Sequence, residues 1–289
     1  MGSFSILNNI SGLNAQNQLN LNNVSLSRTL LRLSSGKRIN TGGDDAAGLQ
    51  IADSLRANTY ALNQAVRNAN DGIGVCQIAD GALQEITNLL TRSVTLAEEA
   101  ATETVDSTGR ASLNAEFLQI QAEIGRIADQ TNFNGYDIFD ANVSNDNRIN
   151  GSLSVFVGDI TSASSISVTI DTITTSGTTV TNLGTADLTD VDLTTQDAAA
   201  TSLTTIQTAL NGVSNMRAEI GAGMNRLQSA VAVLQTQSQN TQAAESVIRD
   251  ANFAEEVANL TKFQILAQSG MAALAQANSS SSSVLSLLR

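Results

Sequence analysis

Apolar residues recur along much of the chain in alternating steps of four and three. The first long run is Leu62, Val66, Ala69, Ile73, Cys76, Asp80, Leu83, Thr87, Leu90, Val94 and Ala97. A second is Leu113, Phe117, Ile120, Ile124 and Ile127. A third runs Ile206, Leu210, Val213, Arg217, Ile220, Met224, Leu227, Val231, Leu234, Ser238, Thr241, Glu245 and Ile248. This spacing predicts three helices, each with one apolar seam. Seams need something to face, and the simplest partners are each other. The expected fold is therefore mainly α, an elongated antiparallel helical bundle or coiled-coil rod. At 1.5 Å per residue the first and third helices would each be about 60–80 Å long.

The boundaries carry turn chemistry. Asp106–Gly109 (DSTG) separates the first two helices, and Asn132–Gly135 (NFNG) closes the second with an Asn-Gly signal. Beyond it the period falls to two: Leu153, Val155 and Val157, then Ile166, Val168 and Ile170. These runs predict a small β-hairpin insertion, with a third strand near Thr178–Thr181. The stretch Leu183–Ala200 reads as loop, with the third helix starting near Thr195–Asp197. Since the first and third long helices lead into the two termini, the β segment is expected at the far tip of the rod. Three regions result. Residues 1–35 and 250–289 are terminal helices, 36–136 and 200–249 the helical rod, and 137–199 a small β-rich surface insertion.

The ends differ from the middle. Leu19, Leu26, Leu30 and Leu33 form a helix-like line near the start, and Phe253, Val257, Leu260, Leu285 and Leu288 lie near the end. Both ends are rich in Asn, Gln and Ser and carry few charges. Their apolar surface is small against the conformational entropy of ordering them. The expectation is that they are mobile in a free chain and ordered by packing against other copies. A contact between copies that does not close on itself gives a helical filament. The pattern alone leaves a second reading standing, an ordinary soluble bundle of weakly amphipathic helices that acts as a binding module.

Composition narrows the chemistry. The 289 residues include no His, no Pro, no Trp and one Cys, with 42% hydrophobic but only 3% aromatic residues and a net charge of −12. A histidine-dependent triad, an imidazole zinc site and an internal disulfide are excluded. An acidic balance disfavours nucleic acid as a partner. The charge-free tail Phe263–Leu288 is too rich in Gln, Asn and Ser for a membrane span. Gly221-Ala222-Gly223 follows no strand and makes no dinucleotide loop. Glu98-Glu99 and Glu255-Glu256 are neighbours that point in different directions on a helix. No enzyme, cofactor or metal is expected. The start of the chain shows no basic segment followed by an apolar block, as a secretory signal would.

Several segments then resemble one family. They are Arg32–Asn40 (RLSSGKRIN), Asp44–Asp53 (DDAAGLQIAD), Asn68–Ile73 (NANDGI), Gly81–Ile86 (GALQEI) and Thr131–Gly135 (TNFNG). In the second half stand Ile220–Leu227 (IGAGMNRL), Ala243–Leu266 (AAESVIRDANFAEEVANLTKFQIL), Leu274–Asn278 (LAQAN) and Ser283–Arg289 (SVLSLLR). Over about residues 1–136 and 200–289 the sequence is similar to the bacterial flagellins. Small departures occur at Thr41–Gly43, Gly74, Val247 and Asn252.

The resemblance implies a structural subunit that polymerises into the extracellular flagellar filament for motility. The terminal helices would form an inner coiled-coil tube, the rod a surrounding layer and the short middle segment the outer surface. The leucines of both ends, with Phe253 and Val257, become polymer-interface candidates. The loop holding Gly36, Lys37, Arg38, Asp44 and Asp45 would join tube to rod, with its charges either paired between subunits or simply solvated. Implied partners are further copies of itself, the flagellar export apparatus, an export chaperone held around Phe253–Leu288, and cap and junction proteins. A Toll-like innate receptor is implied at Arg92, Leu96 and Glu116, although Val94 and Thr95 depart from that pattern. A hook–filament junction protein is the alternative within flagellar proteins.

Overall fold

The computed structural model describes residues 9–139, 151–159, 164–176, 179–183 and 186–286. Five helices dominate: α1 (Ile10–Ser35), α2 (Ala46–Ala100), α3 (Ser107–Gln130), α4 (Gln196–Arg249) and α5 (Phe253–Ser286). Among the described residues six short strands lie between α3 and α4. They are β1 (Asn132–Phe133), β2 (Tyr136–Asp137), β3 (Ser152–Phe156), β4 (Ser165–Thr169), β5 (Thr174–Ser176) and β6 (Thr179–Asn182). They pair in sequence order as three two-stranded antiparallel hairpins. The chain forms two compact units. Unit one holds Met1–Thr59 and Gln239–Arg289, and unit two holds Tyr60–Ser238. Helices α2 and α4 contribute to both.

Helix ends follow local side-chain chemistry. Asn9 Oδ1 accepts from the Gly12 amide at 2.9 Å, and Asp106 Oδ1 accepts from the Gly109 amide at 2.7 Å. Each satisfies an amide that the first turn leaves free. The DSTG stretch is thus both the α2–α3 turn and the start of α3. Helix α1 stops at Gly36, whose φ of 70° is the left-handed geometry that glycine adopts without strain. The NFNG turn is a two-residue hairpin with Asn134 at φ 53° and Gly135 at φ 80°, joining β1 to β2.

In unit two α2 and α4 run antiparallel. Asn63 meets Ser238, and Asp80 meets Arg217. Their buried faces shift the predicted seam by one position at every second site. On α2 the buried line is Leu62, Ala65, Ala69, Gly72, Cys76, Ala79, Leu83, Ile86, Leu90, Ser93, Ala97 and Ala100. On α4 it is Ile206, Ala209, Val213, Met216, Ile220, Gly223 and Leu227. Val66, Ile73, Thr87 and Val94, expected in the seam, flank it half-buried. The physical reason is size. Ala, Gly and Ser at the contact line let the neighbouring element approach closely, while bulkier β-branched residues cover its sides. Asp80 and Arg217, two polar residues in the predicted seams, also sit on the flanks. There Arg217 Nε donates to Asp80 Oδ1 at 2.8 Å.

The β3–β4 hairpin corrects the expected position of the β segment. It rests against the middle of α2 and α4, roughly 40 Å along α2 from the α2–α3 turn, rather than at a tip. Two glycines make the seat. A Cβ on Gly72 would lie 2.6 Å from Val155 Cγ2, and one on Gly223 would collide with Val168. The register Leu153↔Val168 and Val155↔Ile166 puts these four side chains on the face toward the helices. Ser152, Ser154, Phe156, Ser165, Ser167 and Thr169 take the exposed face. Asn68 Nδ2 donates to the Phe156 carbonyl and Arg226 Nη1 to that of Ser167, which fastens the hairpin to each helix. The predicted third strand is β6, paired with β5.

The stretch read as loop is also part of the core. Leu183, Leu188 and Leu193 are fully covered, as are Ile138, Phe139, Ile170 and Ile173. Helix α3 holds this irregular chain with two polar side chains. Buried Gln121 donates from Nε2 to the Leu188 carbonyl at 3.0 Å, and Asn114 Oδ1 accepts from the Leu193 amide at 3.2 Å. Without strands to pair them, those buried backbone groups need side-chain partners.

Candidate assembly surface

Unit one is built on α1 and α5, which pair antiparallel. Asn9 Nδ2 donates to the Ala277 carbonyl, Leu19 lies against Gly270, Asn22 Nδ2 donates to the Phe263 carbonyl at 2.9 Å, and Arg32 reaches Glu256. The shielded line on α1 is Gly12, Ala15, Leu19, Asn22, Leu26, Thr29 and Leu33. On α5 it is Glu256, Leu260, Phe263, Ala267, Gly270, Leu274 and Ala277. Both lines step by three and four, as one packed helix face does.

The opposite side of α1 carries a second apolar line, interrupted by Asn17, Asn20 and Arg28. Ile10, Leu13, Leu21, Val24 and Leu31 are each about half exposed or more. At 3.6 residues per turn they fall in one stripe across the helix from the α5 seam. Helix α5 adds exposed Phe253, Val257, Ile265, Leu266 and Met271. A groove of about 460 Å³ runs between the helices, lined by Leu19, Leu21, Phe263, Leu266 and Gly270 among others. Charge is scarce on these faces. Helix α1 has none before Arg28, and from Val257 to Ser286 the one charged residue is Lys262.

The predicted interface residues therefore divide. Leu19, Leu26, Leu33 and Leu260 belong to the α1–α5 seam inside one chain, whereas Leu30, Phe253 and Val257 are exposed. The side chain of Leu285 and the whole of Leu288 lie outside the described residues. Sequence reading missed Ile10, Leu13, Leu21, Val24, Leu31, Ile265 and Met271. The signal was available on α1, as a second apolar line out of phase with the first.

The segment after α1 is tied to the α4–α5 turn. Lys37 and Asp250 form an antiparallel bridge. The Arg38 amide donates to the Arg249 carbonyl at 2.6 Å, and the Ala251 amide donates to that of Gly36 at 3.0 Å. The Arg38 guanidinium donates to the Ile248 carbonyl at 2.7 Å. Asp44 Oδ2 accepts from the Asn40 and Thr41 amides and from the Thr41 hydroxyl, and Arg28 lies 3.9 Å away. The backbone donors of Thr41 and Asn40 hold the Asp44 carboxyl below its ordinary value, helped by nearby Arg32. Asp45 Oδ1 accepts from the Gly48 amide and starts α2. Both aspartates are thus engaged by neighbouring backbone amides, Asp44 within the loop and Asp45 in the first turn of α2. Nearby, buried Arg249 bonds Asp53 Oδ1 at 2.9 Å, and Arg32 bonds Glu256 Oε1 at 3.4 Å.

In unit two Arg92 bonds Glu116 through Nε and Nη2 across α2 and α3, with both side chains about half exposed. Leu96 is completely buried. It is a core residue, so the surface expected at Arg92, Leu96 and Glu116 reduces to the charged pair. Among the described residues no group of three His, Cys, Asp or Glu is placed to hold a metal ion. Among them, too, no helix is long and apolar enough to cross a membrane.

Residues 6–144 match the bacterial flagellin N-terminal helical region, and 203–288 match the C-terminal helical region. The chain is 38% identical to flagellin FlaB1 of Treponema pallidum, over 98% of this chain and 99% of that one. It belongs to the bacterial flagellin family. The flagellins of Halalkalibacterium halodurans and Bacillus subtilis are 37% and 36% identical, again over 98% of this chain and 99% of theirs. A putative flagellar hook-associated protein from Vibrio parahaemolyticus shares the fold at 14% identity. Its TM-score is 0.55, over 71% of this chain and 99% of that chain. The α1–α5 pair of this flagellin-family chain falls within the two matched regions, and β3–β6 lie between them.

Proposed function

We propose that the chain is the structural subunit of the extracellular flagellar filament and that it self-associates through α1 and α5. One observation carries the reading. Helix α1 carries apolar lines on two opposite faces, and α5 covers only one. A stripe that a single copy leaves in water is stabilised when another copy covers it, at roughly 25 cal/mol per Å². Membership in the flagellin family supports the same conclusion. Residues 1–35 and 250–289 make the inner layer, 36–136 and 200–249 the layer around it, and 137–199 the outer surface.

In this reading the subunit leaves the cell through the flagellar export apparatus, with a chaperone on the region around Phe253–Leu288. It assembles between junction and cap proteins. The exposed Arg92–Glu116 pair is the part that a Toll-like innate receptor would meet. The test is truncation. A chain of residues 36–249 is expected to stay monomeric in sedimentation velocity under conditions where the full chain forms filaments. Filaments from the truncated chain would overturn the reading. Abundance separates the hook–filament junction alternative, because a filament subunit dominates sheared appendages.

A further inference from the structure

The chain holds three Asn-Gly dipeptides, at 134–135, 150–151 and 211–212. Asn150 lies outside the described residues. The other two stand in opposite surroundings. Asn134 and Gly135 are both exposed, at the two-residue turn between β1 and β2. Asn211 and Gly212 lie inside α4, with Gly212 buried. We infer that Asn134–Gly135 is a site of spontaneous deamidation, an age mark on the exposed turn, and that the fold spares Asn211–Gly212.

The reaction needs only water. The main-chain nitrogen of Gly135 gives up its proton to solvent base and attacks Cγ of Asn134. A C–N bond forms, the Cγ–Nδ2 bond breaks, and ammonia leaves with a solvent proton. Water then opens the resulting succinimide at either carbonyl, giving aspartate or isoaspartate. Three features favour this at position 134. Nothing lies within 4 Å of where a Gly135 Cβ would stand, so no other part of the chain packs on that side of the turn. The β-ladder pairs Asn132 with Asp137 and Phe133 with Tyr136, so Gly135 lies outside it. Attack also requires rotation about the Cα–C and Cα–Cβ bonds of Asn134 to bring its Cγ onto the Gly135 nitrogen, and the turn must open for that rotation. Strands of two residues make that opening cheap. In α4 the Gly212 amide is held in the repeating helix bonds on the buried face, and reaching it requires unwinding a long helix.

The product matters to the fold. Aspartate adds a negative charge to unit two, and isoaspartate adds a methylene to the backbone of the turn. That turn leads directly to buried Ile138 and Phe139. The test is peptide mapping by mass spectrometry after incubating the full chain in mildly alkaline buffer. A one-dalton gain with isoaspartate at Asn134 is expected to build up roughly tenfold or more faster than at Asn211. In denaturant the two rates should converge, and Asn134→Gln should abolish the signal at that position. Equal rates in the native chain, or an unchanged Asn134 while Asn211 converts or both persist, would overturn the inference.

Discussion

The two units use the same kind of helix to opposite ends. In unit two α2, α3 and α4 bury their apolar lines against each other and against the β segment. The side chains of Leu62, Leu83, Ile86, Leu90, Phe117 and Ile124 are all but completely covered. Among the described residues of unit one the buried apolar side chains are Ile39 and Ala52, while Ile10, Leu13, Leu21, Val24, Ile265 and Met271 stand in water. Charge is divided as unevenly. Unit one carries eight basic and seven acidic residues, unit two seven and twenty. Unit two therefore holds the excess negative charge that keeps a chain soluble, and unit one is the near-neutral part that can bear close association. A helix pair with too little core for itself makes sense as half of an interface.

That contrast can be broken most directly at its exposed side. Leu21→Asp together with Val24→Asp puts two charges where another copy would pack. The critical concentration for assembly should rise by at least about a hundredfold, read by sedimentation, with the melting of unit two unchanged. A comparable shift in melting would mean that the stripe serves the single chain instead. Next, Leu90→Ala should destabilise unit two by about 2–5 kcal/mol, whereas Leu13→Ala should change the dilute chain by less than about 0.5 kcal/mol. Chemical denaturation of both variants below the assembly concentration compares them.

A smaller effect belongs to the hairpin seat. Gly72→Ala should cost about 1–3 kcal/mol, because the added methyl meets Val155 and the hairpin must move. Faster amide exchange in β3 and β4 would report that movement. The smallest effect is at Asp44, whose carboxyl is held below its ordinary value by the Thr41 and Asn40 amides. A depressed carboxylate contributes stability above its unfolded pKa and loses it as pH falls through the folded one. Stability of unit one should therefore fall more steeply with acid in the native chain than in Asp44→Asn, as followed by circular dichroism against pH.

Much of this architecture was legible in advance. The three long helices, the DSTG and NFNG turns and both β runs lie where the pattern puts them. What stayed hidden was the phase of contact. Hydropathy prefers Val66 and Ile73 to Ala65 and Gly72, yet the smaller residues touch the neighbour because closeness of approach decides packing. The same blindness concealed the core role of Leu183, Leu188 and Leu193. Their segment has no periodicity, and its backbone is satisfied by Gln121 and Asn114 from a distant helix.

Alone, the amino-acid order determined the helices, their stops, the poverty of charge at both ends and the family. These properties are local: spacing, capping groups and composition act within a few residues. Only the folded chain decided which leucines α5 covers and which it leaves in water. It also decided that Leu96 is interior, and that the hairpin sits on two glycines in mid-helix. Those outcomes depend on pairs of residues far apart in the chain, and no window along the sequence contains both partners.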